Sequence, residues 1–187
     1  ADETGCELNY DTTSYKIPSK TRFLKEIKII SVLKKVDKVI SLCKVKCHMM
    51  AKLTCATKNL YGYVPGLIKM KYHLKMNMGE WAKILLDLEE YRRPDLTIAD
   101  GIIGMEGQGP FAGDPKELGL LIAGTNVYEM DYNICKIIGV PPLDILYLRR
   151  ALEREKFVEN DLDFSEYFVR FKDARVLFPY SVTTKEY

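Results

Sequence analysis

The fold of this chain is decided by residues 37–73, which read DKVISLCKVKCHMMAKLTCATKNLYGYVPGLIKMKYH. The first part, residues 39–45, is an apolar and β-branched run that is typical of a strand buried in a parallel sheet. Polar residues then alternate with apolar ones. If the backbone stays extended, Lys44, Lys46 and His48 project from one face of the strand. The stretch therefore predicts a buried strand whose carboxyl end carries two ammonium groups and an imidazole.

Two interpretations of this strand end stay open. Open α/β sheets bind ligands in a crevice at the carboxyl ends of their strands, so the position favours an anion-binding site. The alternative is a strand end whose lysines are simply solvated, which is the common state of lysine in proteins. A helix predicted over residues 49–61 adds Lys58 and Asn59 to the same region. A Gly/Pro turn follows at residues 62–66, and His73 lies beyond it.

Strands and helices alternate along the rest of the chain. Apolar runs and helical spacing predict further strands at residues 96–103 and 118–123, and helices at residues 21–36, 76–93, 127–138 and 143–155. A short edge strand near Leu8 and a last strand at residues 167–171 are also expected. The order predicts an α/β fold, with an open, largely parallel sheet, helices on both faces, and a ligand crevice at the strand carboxyl ends.

The length and composition are those of one domain. With 187 residues, 47% of them hydrophobic, we expect a single α/β domain over residues 1–187, with residues 1–20 and 156–187 as peripheral segments. Because the sequence begins at Ala1, we expect an excerpt of a longer polypeptide or a processed product. No apolar run reaches the roughly 18 residues that a membrane span requires. The five cysteines, an odd number, favour a reducing, cytoplasmic setting over a disulfide scaffold.

The charge of the chain is distributed unevenly. The formal net charge is only +2, yet residues 16–75 carry fifteen Lys or Arg residues against Glu26 and Asp37. Residues 76–187 carry thirteen basic and twenty acidic residues. A basic third that contains the predicted strand end favours an anionic partner, although a lysine-rich solubilising surface would have the same composition.

Several motifs resemble those of one known family. Residues 40–66, ISLCKVKCHMMAKLTCATKNLYGYVPG, resemble the signature I-x-L-P-K-x-K-T-H, a spacer, K-N-L-x-G and P-G of the domain of unknown function 362 family. The later stretches PDLTIADGIIGMEGQGPFAGDP and LGLLIAGTN, with Asp131 a few residues on, agree in order. The resemblance covers residues 34–150. Cys43 replaces the usual proline of the signature, and Cys47 replaces the usual threonine.

The resemblance implies an α/β domain associated with iron–sulfur proteins, but no known reaction. Members of the family often have a Gly-rich stretch upstream and a ferredoxin-type set of cysteines downstream, and this sequence has neither. The resemblance therefore implies that iron–sulfur clusters are bound by a segment missing from this chain. It leaves the cofactor of the chain itself unknown.

A glycine-rich segment, residues 101–113, follows the second predicted strand. Glycine permits positive φ angles and close approach of a ligand to the backbone. The spacing matches neither a Rossmann fingerprint nor a P-loop, and a structural loop would have the same composition. The family resemblance favours function, because Asp100, Glu106, Gly107 and Gly109 lie in its second signature block. Both interpretations stay open.

The acidic residue Asp131 lies near the start of a predicted helix, on its apolar stripe. Attraction between a carboxylate and the helix dipole explains part of this position. The other explanation is a carboxylate that enters the same crevice as Lys44 and Lys46.

Two further classes of site are disfavoured. On an extended strand, Cys43 and Cys47 lie on the face opposite to His48, and standard zinc or iron–sulfur spacings are absent. We therefore expect no metal site and no stoichiometric iron or zinc in the isolated chain. Tyrosines interleave with lysines over residues 61–72 and could stack on bases, but no nucleic-acid-binding module accompanies them.

The leading hypothesis is a domain that binds an anionic small molecule or cofactor. The predicted catalytic residues are His48, Asp100 and Glu106. The predicted ligand-binding residues are Lys44, Lys46, Lys58, Asn59, His73, Gly107, Gly109 and Asp131. Lysines would hold the anion and a histidine would act as an acid–base group. The alternative is a non-catalytic module whose basic region 16–75 docks an acidic redox partner, such as a ferredoxin-type domain. The sequence does not decide whether the chain is an enzyme.

Overall fold

The structure is a computed structural model that describes residues 3–22, 24–75 and 77–171, without the side chains of residues 73–75. Its strands are β1 Ser14–Pro18, β2 Glu26–Ile30, β3 Ile40–His48, β4 Lys52–Thr54, β5 Leu96–Gln108 and β6 Ala112–Gly124. Its α-helices are α1 Ala56–Asn59, α2 Gly66–Lys75, α3 Met78–Tyr91, α4 Val127–Ile138 and α5 Leu146–Glu153. Short 3-10 turns lie at Ser31–Lys34, Leu60–Tyr63, Pro142–Asp144 and Ser165–Tyr167. The α/β content expected from the sequence is confirmed.

The main sheet has the strand order β4-β3-β5-β6. The central strands β3 and β5 are parallel, whereas β4 and β6 run antiparallel to their neighbours. The prediction of a largely parallel sheet is therefore wrong. Residues 118–123 pair antiparallel with β5, because the glycine-rich segment forms the two arms of one long hairpin and no helix crosses over between them. A short turn joins antiparallel strands, whereas parallel neighbours need a long crossover.

The second sheet replaces a predicted helix. Strands β1 and β2 pair antiparallel, with Ile17 opposite Ile27. Ile27 and Ile29 are fully buried and Lys28, between them, is exposed. This alternation has the period of a strand, and β-branched side chains pack well on a pleated surface. The helix predicted over residues 21–36 is wrong for that reason.

Three other local predictions are corrected. The helix expected over residues 49–61 is divided into β4 and the short α1. The segment near Leu8 is not a strand. The final strand expected at residues 167–171 is irregular, although the N–H groups of Val169 and Phe171 donate to the last carbonyls of α4.

Helix α4 confirms its predicted limits, residues 127–138. The side chain of Asn126 accepts hydrogen bonds from the N–H groups of Tyr128 and Glu129, which satisfies two donors of the first turn. Helices α3 and α5 lie where the sequence places them, within two or three residues at each end.

The two faces of the main sheet differ in their surroundings. Cys43, Val45 and Cys47 of β3 are buried on one face, which we call the core face. On the opposite face, the outer face, Leu42 is 69% exposed and Leu121 of β6 is 64% exposed. The prediction of helices on both faces is therefore wrong here: no helix of the described chain covers these outer residues.

Candidate functional site

The carboxyl end of β3 places its lysines on the outer face, as the alternation predicts. The exposed ammonium of Lys44 forms an ion pair with Asp100 on β5, with 2.7 Å between Nζ and Oδ2. Lys44, first, and then the N–H of Ile102 hold the pKa of Asp100 below its usual range. Lys46 is half-buried and lies opposite Thr54 in the β3–β4 ladder. The two lysines therefore have different environments although only one residue separates them.

A cluster of three lysines lies beside this strand end. We define the lysine cluster as Lys46 of β3, Lys58 of α1 and Lys69 of α2, all three half-buried. Within the part of the chain that the structure describes, no carboxylate forms an ion pair with any of them. Positive groups without counter-charges repel one another, so the cluster is electrostatically suited to an anion.

The amine of Lys58 is the most perturbed member of the cluster. Burial, and then repulsion by Lys46 and Lys69, lower the pKa of Lys58 from 10.5 to about 8. Burial also lowers the pKa of Lys69. The Nζ atom of Lys58 lies 5.8 Å from the ring centroid of Trp81, near the outer limit of a cation–π contact. Perturbed pKa values of this kind are common at functional sites.

A polar atom beside the cluster lacks a hydrogen-bond partner. The hydroxyl Oγ1 of Thr54 is buried and has no partner among the described residues. Because Thr54 pairs with Lys46 across the β3–β4 ladder, its side chain shares the outer face with that lysine. Buried polar groups are normally satisfied, so this hydroxyl is available to donate a hydrogen bond to a ligand at the cluster.

The position of α1 is fixed at both ends. At its start, the N–H groups of Ala56 and Thr57 donate to the carboxylate of Asp131, at 2.8 and 3.0 Å. At its end, the amide of Asn59 donates to the Ser41 hydroxyl and to the Leu42 carbonyl on the edge of β3. These bonds place Lys58, between the two ends, next to the carboxyl end of β3.

The carboxylate of Asp131 is fully buried and also accepts a hydrogen bond from the Tyr147 hydroxyl at 3.0 Å. Its three bonds tie α4, α1 and α5 together. Asp131 therefore lies among the core-face helices, whereas Lys44 and Lys46 lie on the outer face. Its contacts give it a structural role.

The imidazole of His48 is committed to a turn. His48 is 7% exposed, and its Nδ1 accepts hydrogen bonds from the N–H groups of Met50 and Ala51, at 3.1 and 3.2 Å. Both bonds use Nδ1 as an acceptor, so this ring nitrogen holds the turn that follows β3. His73 belongs to α2, but its side chain lies outside the described residues.

The remaining predicted residues lie along the β5–β6 hairpin. Glu106 is 3% exposed and pairs with Asp114 across the hairpin, and Gly107 has a positive φ of 74°. Gly109 lies at the hairpin tip, which folds against the end of β3: the Met49 N–H donates to the Gly109 carbonyl at 3.0 Å. A Cβ on Gly109 would lie 1.9 Å from the Cys47 carbonyl oxygen, so only glycine fits there.

A family assignment follows from sequence comparison. A model of the family described as a domain of unknown function (DUF362) matches residues 1–136 of the chain. The chain belongs to this DUF362 family. A curated relative, named as a thylakoid-associated protein of Synechocystis sp., is 39% identical over 111 residues, which are 58% of this chain and 35% of that protein. The chain thus matches about a third of the length of that relative. No solved structure matches this chain.

Sequence reasoning missed two members of the site in this DUF362 chain. Lys69 was not identified because residues 66–75, which form α2, were not assigned as a helix. The signal in the sequence was the four-residue spacing of Lys69 and His73, which is typical of a helix. Thr54 was not identified because β4 was assigned to a helix, and its pairing with Lys46 appears only in the folded chain.

The described residues of the DUF362 chain lack two other kinds of feature. They contain no group of three His, Cys, Asp or Glu side chains that could hold a metal ion. None of their helices is both long and apolar enough to cross a membrane. A shallow depression of about 360 Å³ lies elsewhere and contains none of the predicted site residues. It is lined by Lys136, Leu162, Asp163, Phe164, Ser165 and Phe168.

Proposed function

We propose that this domain binds an anionic small molecule, or the anionic group of a cofactor, at the lysine cluster. The observation that carries the proposal is the half-buried Lys58 amine, which Lys46 and Lys69 repel and no described carboxylate neutralises. Bringing like charges together in a partly desolvated position costs free energy in the empty protein. A bound anion would relieve that cost, and the Thr54 hydroxyl would donate to it.

The Lys46→Met variant tests this site. We expect it to bind inorganic phosphate or pyrophosphate roughly 10- to 100-fold more weakly than the wild type, because a charge-assisted hydrogen bond contributes about 1.5–3 kcal/mol. The fold should be unchanged, since Lys46 makes no ion pair in the described chain. Isothermal titration calorimetry at low and moderate salt gives the affinities.

The matched control is Lys44→Met, two residues away on the same face of β3. Its ammonium is exposed and already paired with Asp100, so we expect phosphate affinity to change less than about 2-fold. Equal losses in the two variants would indicate a non-specific basic surface. An unchanged affinity in the Lys46→Met variant would contradict the proposal.

The alternative, docking of an acidic redox partner through the basic region 16–75, has weaker support. Several lysines of that region are already neutralised by acidic residues of this chain. These ion pairs are Lys16–Glu26, Lys20–Glu90, Lys35–Asp11, Lys38–Asp95 and Lys52–Asp144. A partner would have to compete with these bonds, whereas the lysine cluster has no such competitor in the described chain.

The wider setting is also a proposal. We infer from the family resemblance that the domain acts beside iron–sulfur clusters bound by another polypeptide segment, in a redox process. The match to only 35% of the length of a longer relative supports the presence of further segments in such proteins. We infer a reducing, cytoplasmic setting from the odd number of cysteines, five, in a domain of this size. His48, Asp100 and Glu106 remain proposed catalytic residues.

A further inference from the structure

We propose that Lys58 is a nucleophilic amine that forms an imine with the carbonyl group of an anionic aldehyde or keto acid. This inference rests on the proposed anion site, because Lys46 and Lys69 would hold the anionic group while Lys58 reacts. It names both the class of ligand and the chemistry that the site can perform.

The geometry of the cluster gives the three lysines unequal positions. Lys58 belongs to α1, which is held at its start by Asp131 and at its end through Asn59. It is the member of the cluster that both other lysines repel. Trp81, 2% exposed, forms an apolar wall beside its Nζ atom. Lysines become nucleophilic when they are desolvated in an apolar surrounding or lie next to another cation, and Lys58 meets both conditions.

The two described charges that act on the pKa of Lys58 act in the same direction. Lys46 on β3 and Lys69 on α2 disfavour its ammonium form, and the Trp81 ring of α3 lies 5.8 Å from its Nζ atom. The acid from α4, Asp131, is bound to the N–H groups of Ala56 and Thr57 at the start of α1. With its pKa near 8, roughly a tenth of Lys58 is neutral at pH 7, against less than about 0.1% of an ordinary lysine.

The reaction is balanced without an oxidant or a metal. The lone pair of the neutral Lys58 amine attacks the carbonyl carbon, a C–N bond forms, and the carbonyl π pair moves to the oxygen. Proton transfer from nitrogen to oxygen gives a carbinolamine. Loss of water then leaves the imine, so one amine and one carbonyl compound give one imine and one water molecule. The ammonium groups of the cluster stabilise the developing negative charge on the oxygen.

The test uses pyridoxal 5′-phosphate, an anionic aldehyde, with borohydride to trap the imine in the full chain. Peptide mapping by mass spectrometry should find the label on Lys58 at about ten times the level on the exposed Lys71, because its neutral fraction is so much larger. Labelling of Lys58 should rise with pH around a midpoint near 8. The Lys58→Arg variant keeps the charge and should lose the preferential label, with an unchanged circular dichroism spectrum.

Two controls separate this inference from the proposed function. Pyridoxal, which lacks the phosphate, and formaldehyde should label Lys58 with less preference over Lys71. If they label Lys58 as selectively as the phosphorylated probe does, the nucleophile stands and the anion site is overturned. The other outcome is that pyridoxal 5′-phosphate labels Lys58 no more than the exposed lysines, while Lys46→Met still weakens phosphate binding. In that case the anion site stands and imine formation at Lys58 is overturned.

Discussion

The Asp131→Asn variant is expected to lose about 2–4 kcal/mol of unfolding free energy at pH 5, because a buried hydrogen-bonding network is broken. The carboxylate accepts bonds from the Ala56 and Thr57 N–H groups and from the Tyr147 hydroxyl. At pH 5 the carboxyl group is mostly protonated, because its pKa is about 6, but its hydroxyl oxygen can still accept the Thr57 N–H while it donates to Tyr147. An asparagine NH₂ group in that place cannot accept a hydrogen bond and would face the Thr57 N–H. Urea unfolding followed by circular dichroism measures the loss.

The pH dependence of this effect has a definite sign. Burial raises the pKa of Asp131 from 3.8 to about 6, although its hydrogen bonds oppose the rise. The folded chain therefore holds the proton more tightly than the unfolded chain. The stability that this group contributes is complete below about pH 4 and is lost as pH rises through 6, by up to about 3 kcal/mol.

The difference in unfolding free energy between the wild type and Asp131→Asn should accordingly be larger at pH 5 than at pH 7. Only the wild type has a titrating group at this position, so only its stability falls as the pH rises from 5 to 7. The matched control is Asp144→Asn, which alters an exposed acid paired with Lys52. We expect that variant to change the unfolding free energy by less than about 1 kcal/mol at either pH. A similar deficit for both variants would refute a buried network centred on Asp131.

The Gly109→Ala variant is expected to lose about 3 kcal/mol of unfolding free energy. Its Cβ would lie 1.9 Å from the Cys47 carbonyl oxygen and 2.7 Å from the carbonyl carbon. Both atoms are backbone, so the β5–β6 hairpin tip would have to move away from β3, with loss of the hydrogen bond between Met49 and Gly109. Thermal and urea unfolding give the change.

The control for this variant is Gly62→Ala, where no atom lies within 4 Å of the new Cβ. We expect the unfolding free energy of Gly62→Ala to differ from that of the wild type by less than about 1 kcal/mol. A small increase also agrees with the structure, because alanine lowers the conformational entropy of the unfolded chain. Equal behaviour of the two variants would mean that the tip of the hairpin does not pack on β3 as described.

Local signals in the sequence predicted the elements that local interactions determine. Asn126 caps α4, and Gly139, with a φ of 72°, ends it, so both limits of that helix could be read from neighbouring residues. The alternation in β3 placed Lys44 and Lys46 on one face for the same reason. The helix predicted over residues 21–36 was wrong because the sequence there fits both the helical and the strand period of apolar residues. Ile27 belongs to an apolar stripe at helical spacing and also to the strand alternation around Lys28.

The remainder depends on contacts between residues that are distant in sequence. Glycines and Pro115 made residues 101–115 look like a loop, and only pairing across the hairpin makes them strands. The sequence pattern was enough to identify Asp131 as unusual. It could not predict the hydrogen bonds of Asp131 to α1, which lies about 75 residues away in the sequence. Lys69 joins the cluster through packing of α2, which no local pattern around Lys46 or Lys58 could indicate.

The uncovered outer face of the sheet has a consequence for handling the protein. Leu42 and Leu121 expose apolar area to solvent but take no part in the core. Ammonium sulfate and other excluded salts strengthen association of exposed apolar surface. Salting-out and retention on a phenyl column should therefore depend on these two side chains. Threonine at either position would shift both properties while leaving the melting temperature nearly unchanged, so colloidal and conformational stability can be adjusted separately in this chain.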